Sequence, residues 1–383
     1  MSFKKPRLVI LNNNYPSKEN LYGDVFVHSR LKYYLNDFEV VVIGYRPLEK
    51  SKKYNYEGID VMNFSDKPSF VKCITEQNPD LMGIHFVSGW YFDSFLKHLK
   101  IPVFIWVHGE EALGWYRRLY YFKWKTAHKF AIFALKNWVQ LYYVRRIIRF
   151  SNKFGNIRFI FVSNWMKRIT ETDTLTRIKH FSIIPNPIDS NLFQYHLKTP
   201  EQALRVLLIR SFETHKYAND KAVAAINLLR SRPIFKKMTF HLYGKGKFFD
   251  KITASVKNDD NVILHNYFIE NHQIPSVHKD FGIFLCPTRQ DAQGVSMCEA
   301  MSSGLVPVTS DNTAIPEFCE HGVSGFLTRN ALELANAIEQ LASDPVLFAR
   351  LSRQAADSIQ SKAGHNVVIA TELKLLKEGY QQT

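Results

Sequence analysis

The sequence predicts an α/β protein built from two Rossmann-like domains, each with a parallel β-sheet. Three observations support this class. The chain has 383 residues, which suffices for two cores of ordinary size. In both halves, short apolar segments alternate with polar loops and with segments whose apolar residues have helical spacing. The proline-rich stretch at residues 183–189, IIPNPID, separates the halves and is typical of a domain linker.

The N-terminal half supplies five predicted strands, at residues 7–11, 40–43, 81–85, 103–107 and 159–162. A polar loop at 12–23 and a helix at 24–35 follow the first strand. This alternation predicts parallel strands joined by right-handed crossovers. His85 and His108 each stand at a strand end, where ligands collect in such sheets, and we rank His108 above His85. A purely structural hydrogen bond is the alternative role of His108.

The C-terminal half repeats the pattern, with predicted strands at 204–209, 240–246, 262–265, 282–286 and 305–309. Helices are predicted at 295–303, 332–341, 344–356 and 367–380. The run from Cys286 to Leu327 is the most informative part of the chain, because it places Asp291 and Glu299 around the start of the first of these helices. Gly294 lies at the helix start, where free N–H groups and a missing Cβ favour a bound phosphate.

Carboxylates in this position suit sugar hydroxyls. Glu299 can accept two hydrogen bonds from a vicinal diol such as a ribose, and Asp291 can do the same for a second sugar. The alternative is that Asp291 is an ordinary acid before a helix and Glu299 a solvated helix residue. Upstream, Arg210 ends the strand at 204–209 and Lys216 follows six residues later, so two cations can meet a diphosphate. A solvated basic loop is the alternative for that pair.

The run from 286 to 327 resembles the signature of the family 4 retaining glycosyltransferases, which have the GT-B architecture. It matches that signature at Gly294, at Glu299-Ala300-Met301 with Gly304, at Pro307-Val308, at Pro316-Glu317 and at Gly322 to Gly325. It departs from the signature at two positions. Asp291 replaces the usual glutamate, and Gln293 replaces the usual aromatic residue.

The resemblance implies the domain organisation. Residues 1–187 would form a Rossmann-like domain on the acceptor side, residues 188–365 a Rossmann-like domain that binds the nucleotide sugar, and residues 366–383 a helix that packs back on the first domain. The two sheets would face each other across a central cleft. In the family the linker segment IPN-x-x-D marks the crossing from one domain to the other, and residues 184–189 resemble it.

The resemblance also implies the roles of the site residues. Arg210 and Lys216 would hold the pyrophosphate, Glu299 the ribose, and His108 with Asp291 the transferred sugar. His108, Asp291, Arg210 and Lys216 are thus the expected catalytic residues. The expected donor-binding residues are Gly23, Arg210, Lys216, Asp291, Gln293, Gly294, Val295, Ser296 and Glu299. We expect no metal ion and no cofactor other than the donor substrate.

Charge is concentrated in the N-terminal half. Residues 1–190 carry 29 Lys and Arg against 16 Asp and Glu, whereas residues 191–383 carry 21 against 19. Residues 112–170 contain no acid and interleave cations with aromatic residues, which suits an anionic membrane surface. The alternative is a helical pair whose aromatic side chains fill the core and whose cations are solvated.

The cysteine pattern and the lack of long apolar segments indicate where in the cell the protein lies. The four cysteines lack CxxC spacing and lie among apolar or helical neighbours, so we expect reduced thiols in a cytoplasmic protein. The first 30 residues lack a signal-peptide core, and no segment offers about 20 uninterrupted apolar residues. We therefore expect a cytoplasmic protein at the inner face of the cell membrane.

The sequence thus predicts a retaining, metal-independent glycosyltransferase that uses a nucleoside-diphosphate sugar. The expected acceptor is a hydroxyl of a saccharide or a lipid-linked glycan in the synthesis of capsule, O-antigen or lipopolysaccharide. Three alternatives stay open: a catalytically impaired GT-B protein that binds nucleotide sugars, a nucleotide-sugar epimerase, and a basic protein that binds nucleic acid. We expect no nucleic-acid partner, because no RRM, KH or zinc-finger pattern occurs in the sequence.

Overall fold

The computed structural model describes residues 5–20, 23–122 and 124–381. The chain divides into two compact units. Residues 1–187 with 368–383 form the N-terminal unit, and residues 188–367 form the C-terminal unit. Each unit has its own sheet and its own hydrophobic core, and this confirms the predicted α/β class with two parallel-sheet domains.

The N-terminal unit contains an eight-stranded sheet of order β3-β4-β2-β1-β5-β6-β7-β8. Its strands are β1 (Arg7–Leu11), β2 (Glu39–Tyr45), β3 (Lys52–Tyr56), β4 (Ile59–Phe64), β5 (Leu81–His85), β6 (Val103–Val107), β7 (Ile157–Phe161) and β8 (Phe181–Ile183). Its first helices are α1 (Val25–Tyr34), α2 (Lys67–Glu76), α3 (Tyr91–Ser94), α4 (Ala127–Phe154) and α5 (Asn164–Thr174).

Composition explains which strands lie at the centre of this sheet and which lies at its edge. The central strands β5 and β6 are buried along their whole length, as expected for strands covered on both faces. The edge strand β3 has the sequence KKYNY and is the antiparallel one, paired with β4. Its lysines keep the exposed sheet edge from pairing with other chains.

The C-terminal unit contains a six-stranded parallel sheet of order β11-β10-β9-β12-β13-β14. The strands are β9 (Arg205–Ile209), β10 (Thr239–Tyr243), β11 (Val262–His265), β12 (Ile283–Cys286), β13 (Val306–Ser310) and β14 (Phe326–Thr328). The helices are α6 (Asn219–Leu229), α7 (Phe249–Thr253), α8 (Ile274–Lys279), α9 (Val295–Ser302), α10 (Ala331–Ser343) and α11 (Pro345–Ala363). The order changes direction between β9 and β12, so the loops after these two strands flank a switch point.

The last helix, α12 (His365–Gln381), returns to the N-terminal unit. Val368, Ile369 and Leu376 join the core of that unit. Glu372 is fully buried there, where it accepts hydrogen bonds from the Tyr34 hydroxyl at 2.5 Å and from the Trp106 indole at 3.0 Å. The Arg30 guanidinium lies 3.4 Å from the same carboxylate. A buried charge is stable only with such partners, so this cluster fixes α12 against α1 and β6.

The four cysteines are free and buried, as the sequence predicts. Within the described residues, no helix is both long enough and apolar enough to cross a membrane. The segment 112–170 differs from the helical pair that was the alternative to a membrane-contacting segment. Short 3₁₀ turns at Trp115–Tyr121 and Trp124–Thr126 lead into the single 28-residue helix α4. Lys123, one of the cations noted in this segment, lies outside the described residues.

Candidate functional site

The start of α9 is an open helix terminus at the switch point of the C-terminal sheet. Gly294 is the N-cap residue and has a left-handed backbone with φ of 80°. A Cβ on Gly294 would lie 2.9 Å from Ile315 Cδ1, so the position requires glycine on two counts. No side chain caps α9, and its first turn contains no acid. The N–H groups of Val295, Ser296 and Met297 are therefore free to bind an anion.

Asp291 shapes the loop that leads into this helix. Its Oδ1 accepts a hydrogen bond from the backbone N–H of Gly294 at 2.9 Å and a longer one from Gln293 at 3.4 Å. Its Oδ2 lies 4.0 Å from Arg210 Nη1. One carboxylate oxygen thus holds the loop, and the other faces the cation. The Gln293 side chain is buried, so its backbone is the part that lies beside the loop surface.

Arg210 follows β9 directly and is buried, with 7% of its surface exposed. Among the described residues its Nε and Nη2 have no hydrogen-bond partner. Its ion-pair contact there is Asp291 at 4.0 Å, which is a long one. Leaving a buried guanidinium largely unpaired is costly, because its water is removed without full replacement. Such a group is typical of a site that receives an anionic ligand.

Lys216 lies on a 3₁₀ turn close to Arg210. The Lys216 ammonium is 5.4 Å and the Arg210 guanidinium 5.2 Å from the centre of the same Tyr217 ring. The turn is tied to the loop after β12, since the carbonyl of Lys216 accepts from the Arg289 N–H at 2.8 Å. Arg289 is itself held by Asp220 through two bonds of 2.8 and 2.6 Å. The structure thus brings both predicted cations to one place.

Glu299 lies in the second turn of α9 and is partly buried. Burial raises the pKa of Glu299 to about 8, and the positive charge of Arg210 offsets part of that rise. Nearby, the buried Ser296 hydroxyl has no hydrogen-bond partner among the described residues. Arg210 and Ser296 thus carry unmet hydrogen-bonding capacity, and Glu299 interacts electrostatically with Arg210.

A cleft of about 730 Å³ lies in the same unit and includes Ser211, the residue after Arg210. It is lined by residues from the loops after β9, β10 and β11, namely Ser211, Glu213, Lys245, Gly246, Lys247, Asn266 and Phe268. Gly246 allows the close approach of two of these loops, because a Cβ there would lie 2.2 Å from the Glu213 nitrogen. The sequence analysis did not identify Asn266 and Phe268 as candidate site residues. The signal that could have identified this segment is Phe268, an exposed aromatic residue shortly after a strand end.

His108 lies in the N-terminal unit and forms a pair with His85. The two rings are stacked, and His85 Nδ1 lies 2.9 Å from His108 Nε2. Burial, together with the nearby positive charge of Arg30, lowers the pKa of both histidines well below the usual value. The pair is therefore neutral at pH 7. The Nδ1 atom of His108 is the nitrogen that this pairing leaves for a ligand.

Glu111 fixes the backbone beside this pair. Its carboxylate accepts hydrogen bonds from the N–H groups of His108 at 2.6 Å and Gly109 at 3.0 Å. Burial raises the pKa of Glu111 to about 7. Sequence reasoning missed both this role and the contact between His85 and His108, since neither spacing has a recognised pattern.

Gly23 also lies in the N-terminal unit, in the loop before α1. A Cβ on Gly23 would lie 2.4 Å from the Asn14 carbonyl oxygen, so glycine permits a tight loop. Asp24 was a candidate helix cap, but its side chain makes no capping bond. It instead accepts a hydrogen bond from the Asn12 amide at 2.8 Å. Leu21 and Tyr22 of the same loop lie outside the described residues.

The described part of the chain holds no group of three or more His, Cys, Asp or Glu residues placed to bind a metal ion. His85 and His108 therefore do not form part of such a group among the described residues. Metal-independent chemistry remains a prediction.

Residues 203–344 match the model of a protein family described as glycosyl transferases group 1. The match contains the cluster around Arg210, Asp291 and Glu299. A poly(ribitol-phosphate) alpha-N-acetylglucosaminyltransferase from Staphylococcus aureus (strain COL) is 29% identical over 141 residues, which cover 36% of this chain and 28% of that protein. The chain spans about half or less of the length of the curated relatives it matches.

Solved structures match almost the whole chain. A sucrose-phosphate synthase from Thermosynechococcus elongatus has a TM-score of 0.78 at 13% identity and covers 99% of this chain and 100% of that one. The Anabaena protein HepE in complex with UDP and glucose has a TM-score of 0.66 at 15% identity, covering 97% and 100%. At these identities the likeness shows the fold, which is GT-B.

Proposed function

We propose that the protein transfers a sugar from a nucleoside-diphosphate donor to a saccharide or lipid-linked acceptor, starting from the match of residues 203–344 to the group 1 glycosyltransferase family. The observation that carries the proposal is the buried, underpaired guanidinium of Arg210 beside the open N-terminus of α9. A diphosphate meets both needs, because its oxygens accept hydrogen bonds from the guanidinium and from helix N–H groups.

The same contacts account for catalysis in the proposal. The leaving nucleoside diphosphate gains negative charge as the glycosidic bond breaks. Arg210, Lys216 and the N–H groups of Val295 and Ser296 stabilise that charge without reorganising, which lowers the barrier. The reaction then proceeds without a divalent metal. We propose retention of configuration, with attack on the face that the leaving group departs from and a donor phosphate oxygen taking the acceptor proton.

Glu299 receives the ribose in this proposal. Its carboxylate, once ionised, accepts a hydrogen bond from each hydroxyl of the diol. Asp291 Oδ2 and His108 Nδ1 orient the transferred sugar. Because Asp291 is one methylene shorter than glutamate and its Oδ1 already holds Gly294, its contact with the donor sugar is made through Oδ2 alone.

The cleft of about 730 Å³ beside Gly246 fits the nucleoside base. Phe268 offers a ring for stacking and Asn266 an amide for hydrogen bonds, which together suit a planar heterocycle. The structural similarity to a protein that binds UDP supports a uridine donor. A nucleic-acid partner is not part of the proposal, because the sequence contains no RRM, KH or zinc-finger pattern.

The acceptor class follows from the relatives and from charge. The similar protein from S. aureus is named for transfer to poly(ribitol-phosphate), a polymer. The acid-free segment 112–170 favours contact with an anionic membrane from the cytoplasmic side. We therefore propose an acceptor in the synthesis of a surface polysaccharide such as a capsule, O-antigen or lipopolysaccharide.

Substitution of Arg210 tests the diphosphate contact. Arg210→Ala is expected to weaken UDP-glucose binding about 10- to 100-fold, since charge-assisted hydrogen bonds contribute about 1.5–3 kcal/mol. Lys216→Ala should weaken it less, because its ammonium is not preorganised as a fork. Isothermal titration calorimetry measures both, with Arg230→Ala, an exposed arginine of the same unit, as the control.

Equal affinity of the Arg210→Ala and Arg230→Ala variants would refute the diphosphate contact. A thermal-shift panel of UDP-, GDP- and ADP-sugars then identifies the base. Binding without transfer to any glycan acceptor would favour the catalytically impaired alternative, and interconversion of the free donor sugar would favour the epimerase. NMR of the product reads the anomeric configuration and so tests retention.

A further inference from the structure

Helix α4 presents two opposite faces, and one of them packs on its own unit. The residues buried along the helix are Asn137, Leu141, Val144, Ile147, Ile148 and Ser151. At about 100° per residue, Asn137, Leu141, Val144, Ile148 and Ser151 fall on one narrow stripe. In the N-terminal half of α4, Phe130, Phe133 and Ala134 are half-buried on this inner side, whereas the opposite side is exposed among the described residues.

The outer side is apolar where a solvated helix would be polar. We define the α4 outer face as Ile132, Leu135, Trp138, Val139 and Tyr142. All five are exposed, and Trp138 and Leu135 show 71% and 64% of their surface. They follow helical spacing and are centred about 160° from the buried stripe. Trp124, 87% exposed, precedes the helix. A continuous apolar stripe of this kind marks an interaction surface, whereas single exposed residues do not.

Cations border this face. Lys129 and Lys136 lie along one side of it and form no ion pair within the described part of the chain. Arg117 and Arg146, by contrast, are already paired with Asp173 and Asp93. Residues 112–170 contain 13 Lys and Arg and no acid. A second copy docked through the same face would bring these like charges together, which disfavours self-association. An anionic lipid surface matches both the charge and the apolar stripe.

We propose that the α4 outer face inserts into the headgroup region of an anionic membrane, with α4 lying in the plane of the surface. Trp124 and Trp138 would settle at the headgroup boundary, and Lys129 and Lys136 would meet lipid phosphates. The helix does not cross the bilayer. Resting on the proposed function, this docking names the acceptor class, a glycan carried on a membrane lipid.

Vesicle binding tests the docking on the full-length protein. The wild type is expected to co-sediment with vesicles of phosphatidylglycerol and phosphatidylcholine, and to bind phosphatidylcholine alone at least tenfold more weakly. Leu135→Asp should lower the partition coefficient at least tenfold, because it places a charge within the apolar stripe. Val346→Asp is the matched control, since Val346 is an exposed apolar residue on helix α11 of the other unit.

A charge reversal separates the electrostatic part from the apolar part. The Lys129→Glu and Lys136→Glu double variant should lose at least tenfold in binding at low salt, and the difference from wild type should shrink as salt rises. Lys251→Glu with Lys257→Glu, exposed lysines of the C-terminal unit, is the control. Tryptophan quenching by brominated lipid should occur in the wild type and vanish in the Trp124→Phe and Trp138→Phe double variant.

Three results would overturn the proposal: equal binding to neutral and anionic vesicles, unchanged binding of Leu135→Asp, or a dimer in sedimentation that Leu135→Asp dissociates. The last result would assign the face to a second copy of the chain. UDP-glucose affinity, measured on the same variants, should stay unchanged, because the substitutions lie outside the donor cluster. If the wild type did not bind UDP-glucose, the proposed function would be wrong, whereas the result of the vesicle-binding experiment would still stand.

Discussion

At the scale of single residues, the site depends on charged groups that the free protein holds in unfavourable surroundings. Arg210 lacks full hydrogen bonding and Glu299 has a pKa of about 8. Both conditions cost stability without ligand and are relieved when a diphosphate and a diol arrive. Relief of these unfavourable surroundings on binding would therefore add to the affinity for the ligand.

Glu299 makes donor binding depend on pH. Its carboxyl is mostly protonated at pH 6 and ionises as pH rises through about 8. Because the ionised form accepts both ribose hydrogen bonds, UDP-glucose affinity is expected to rise from pH 6 to 8, by up to about tenfold per pH unit. Both phosphates of UDP-glucose are diesters and stay ionised in this range. Calorimetry at several pH values measures the effect.

The stability of the free protein should change in the opposite direction. A carboxyl whose pKa is raised by folding binds more protons in the folded state than in the unfolded state, so stability falls as pH rises from about 4.5 to 8. Glu299→Gln should flatten both the stability profile and the affinity profile. A Glu299→Gln variant with the wild-type pH dependence of affinity would show that another group titrates.

Much of the residue-level site could be predicted from the sequence, because Arg210, Lys216, Gly294 and Glu299 follow a fixed spacing around strand and helix ends. The bond from Asp291 to the Gly294 N–H and the pairing of His85 with His108 could not. These contacts depend on side-chain rotamers and on neighbouring strands brought together by the fold. Local spacing carries no information about either.

At the scale of elements, the strand, loop and helix from β12 to α9 form the unit on which the site depends. The sequence located α9 to within a residue, since its glycine start and apolar spacing agree. It did not locate α4 as one long helix. Apolar residues lie on both the inner and the outer side of its first half, so no single apolar face identified its extent there.

Substitutions of Gly294 and Gly322 distinguish the effect of backbone strain from the effect of a new side-chain contact at the start of α9. Gly294→Ala and Gly322→Ala both place a side chain at positive φ, 80° and 74°, and each should cost about 1 kcal/mol for that reason. The Gly294 substitution also forces contact with Ile315, whereas a Cβ on Gly322 meets nothing within 4 Å. Gly294→Ala alone is therefore expected to lose donor affinity, at least tenfold.

Thermal unfolding and calorimetry with UDP-glucose measure the two variants side by side. A similar small fall in melting temperature for both, with donor affinity lost only in Gly294→Ala, is the expected result. If Gly322→Ala weakened donor binding as much as Gly294→Ala, the helix start would have no special part in the site.

At the scale of the whole molecule, the two units are of similar size, and the alternation of apolar and polar segments on either side of the linker predicted two α/β halves. The sequence did not predict the contacts that hold α12 against the N-terminal unit. Glu372 reads as an ordinary solvated helix acid, yet it is fully buried against Arg30, Tyr34 and Trp106. A buried ion cluster depends on partners more than 180 residues away in sequence and leaves no local pattern.

Loss of Glu372 should destabilise the N-terminal unit severely. Glu372→Ala is expected to cost about 3–5 kcal/mol, because Arg30 would keep a buried charge without its carboxylate. Glu372→Gln retains an acceptor for Tyr34 or Trp106 and should cost less. Glu378→Ala, on the exposed side of the same helix, is the control, with an expected change within about 0.5 kcal/mol.

Differential scanning calorimetry measures the three variants. Equal melting temperatures for Glu372→Ala and Glu378→Ala would show that the cluster contributes nothing to stability. If Glu372→Ala does not fold, Glu372→Gln still tests the idea. Glu372→Gln should fold, and its melting temperature should lie below those of the wild type and of Glu378→Ala.

The return of α12 to the first unit also sets an order of events during synthesis. A ribosome releases the chain from its N-terminus, so the sheet β1–β8 emerges before any residue of the second unit. That sheet still lacks Val368, Ile369 and Glu372, and the nascent chain must keep Arg30 and Tyr34 without their carboxylate until residue 372 has been made. The unit that begins first is therefore completed last, after the C-terminal unit has had all of its residues available.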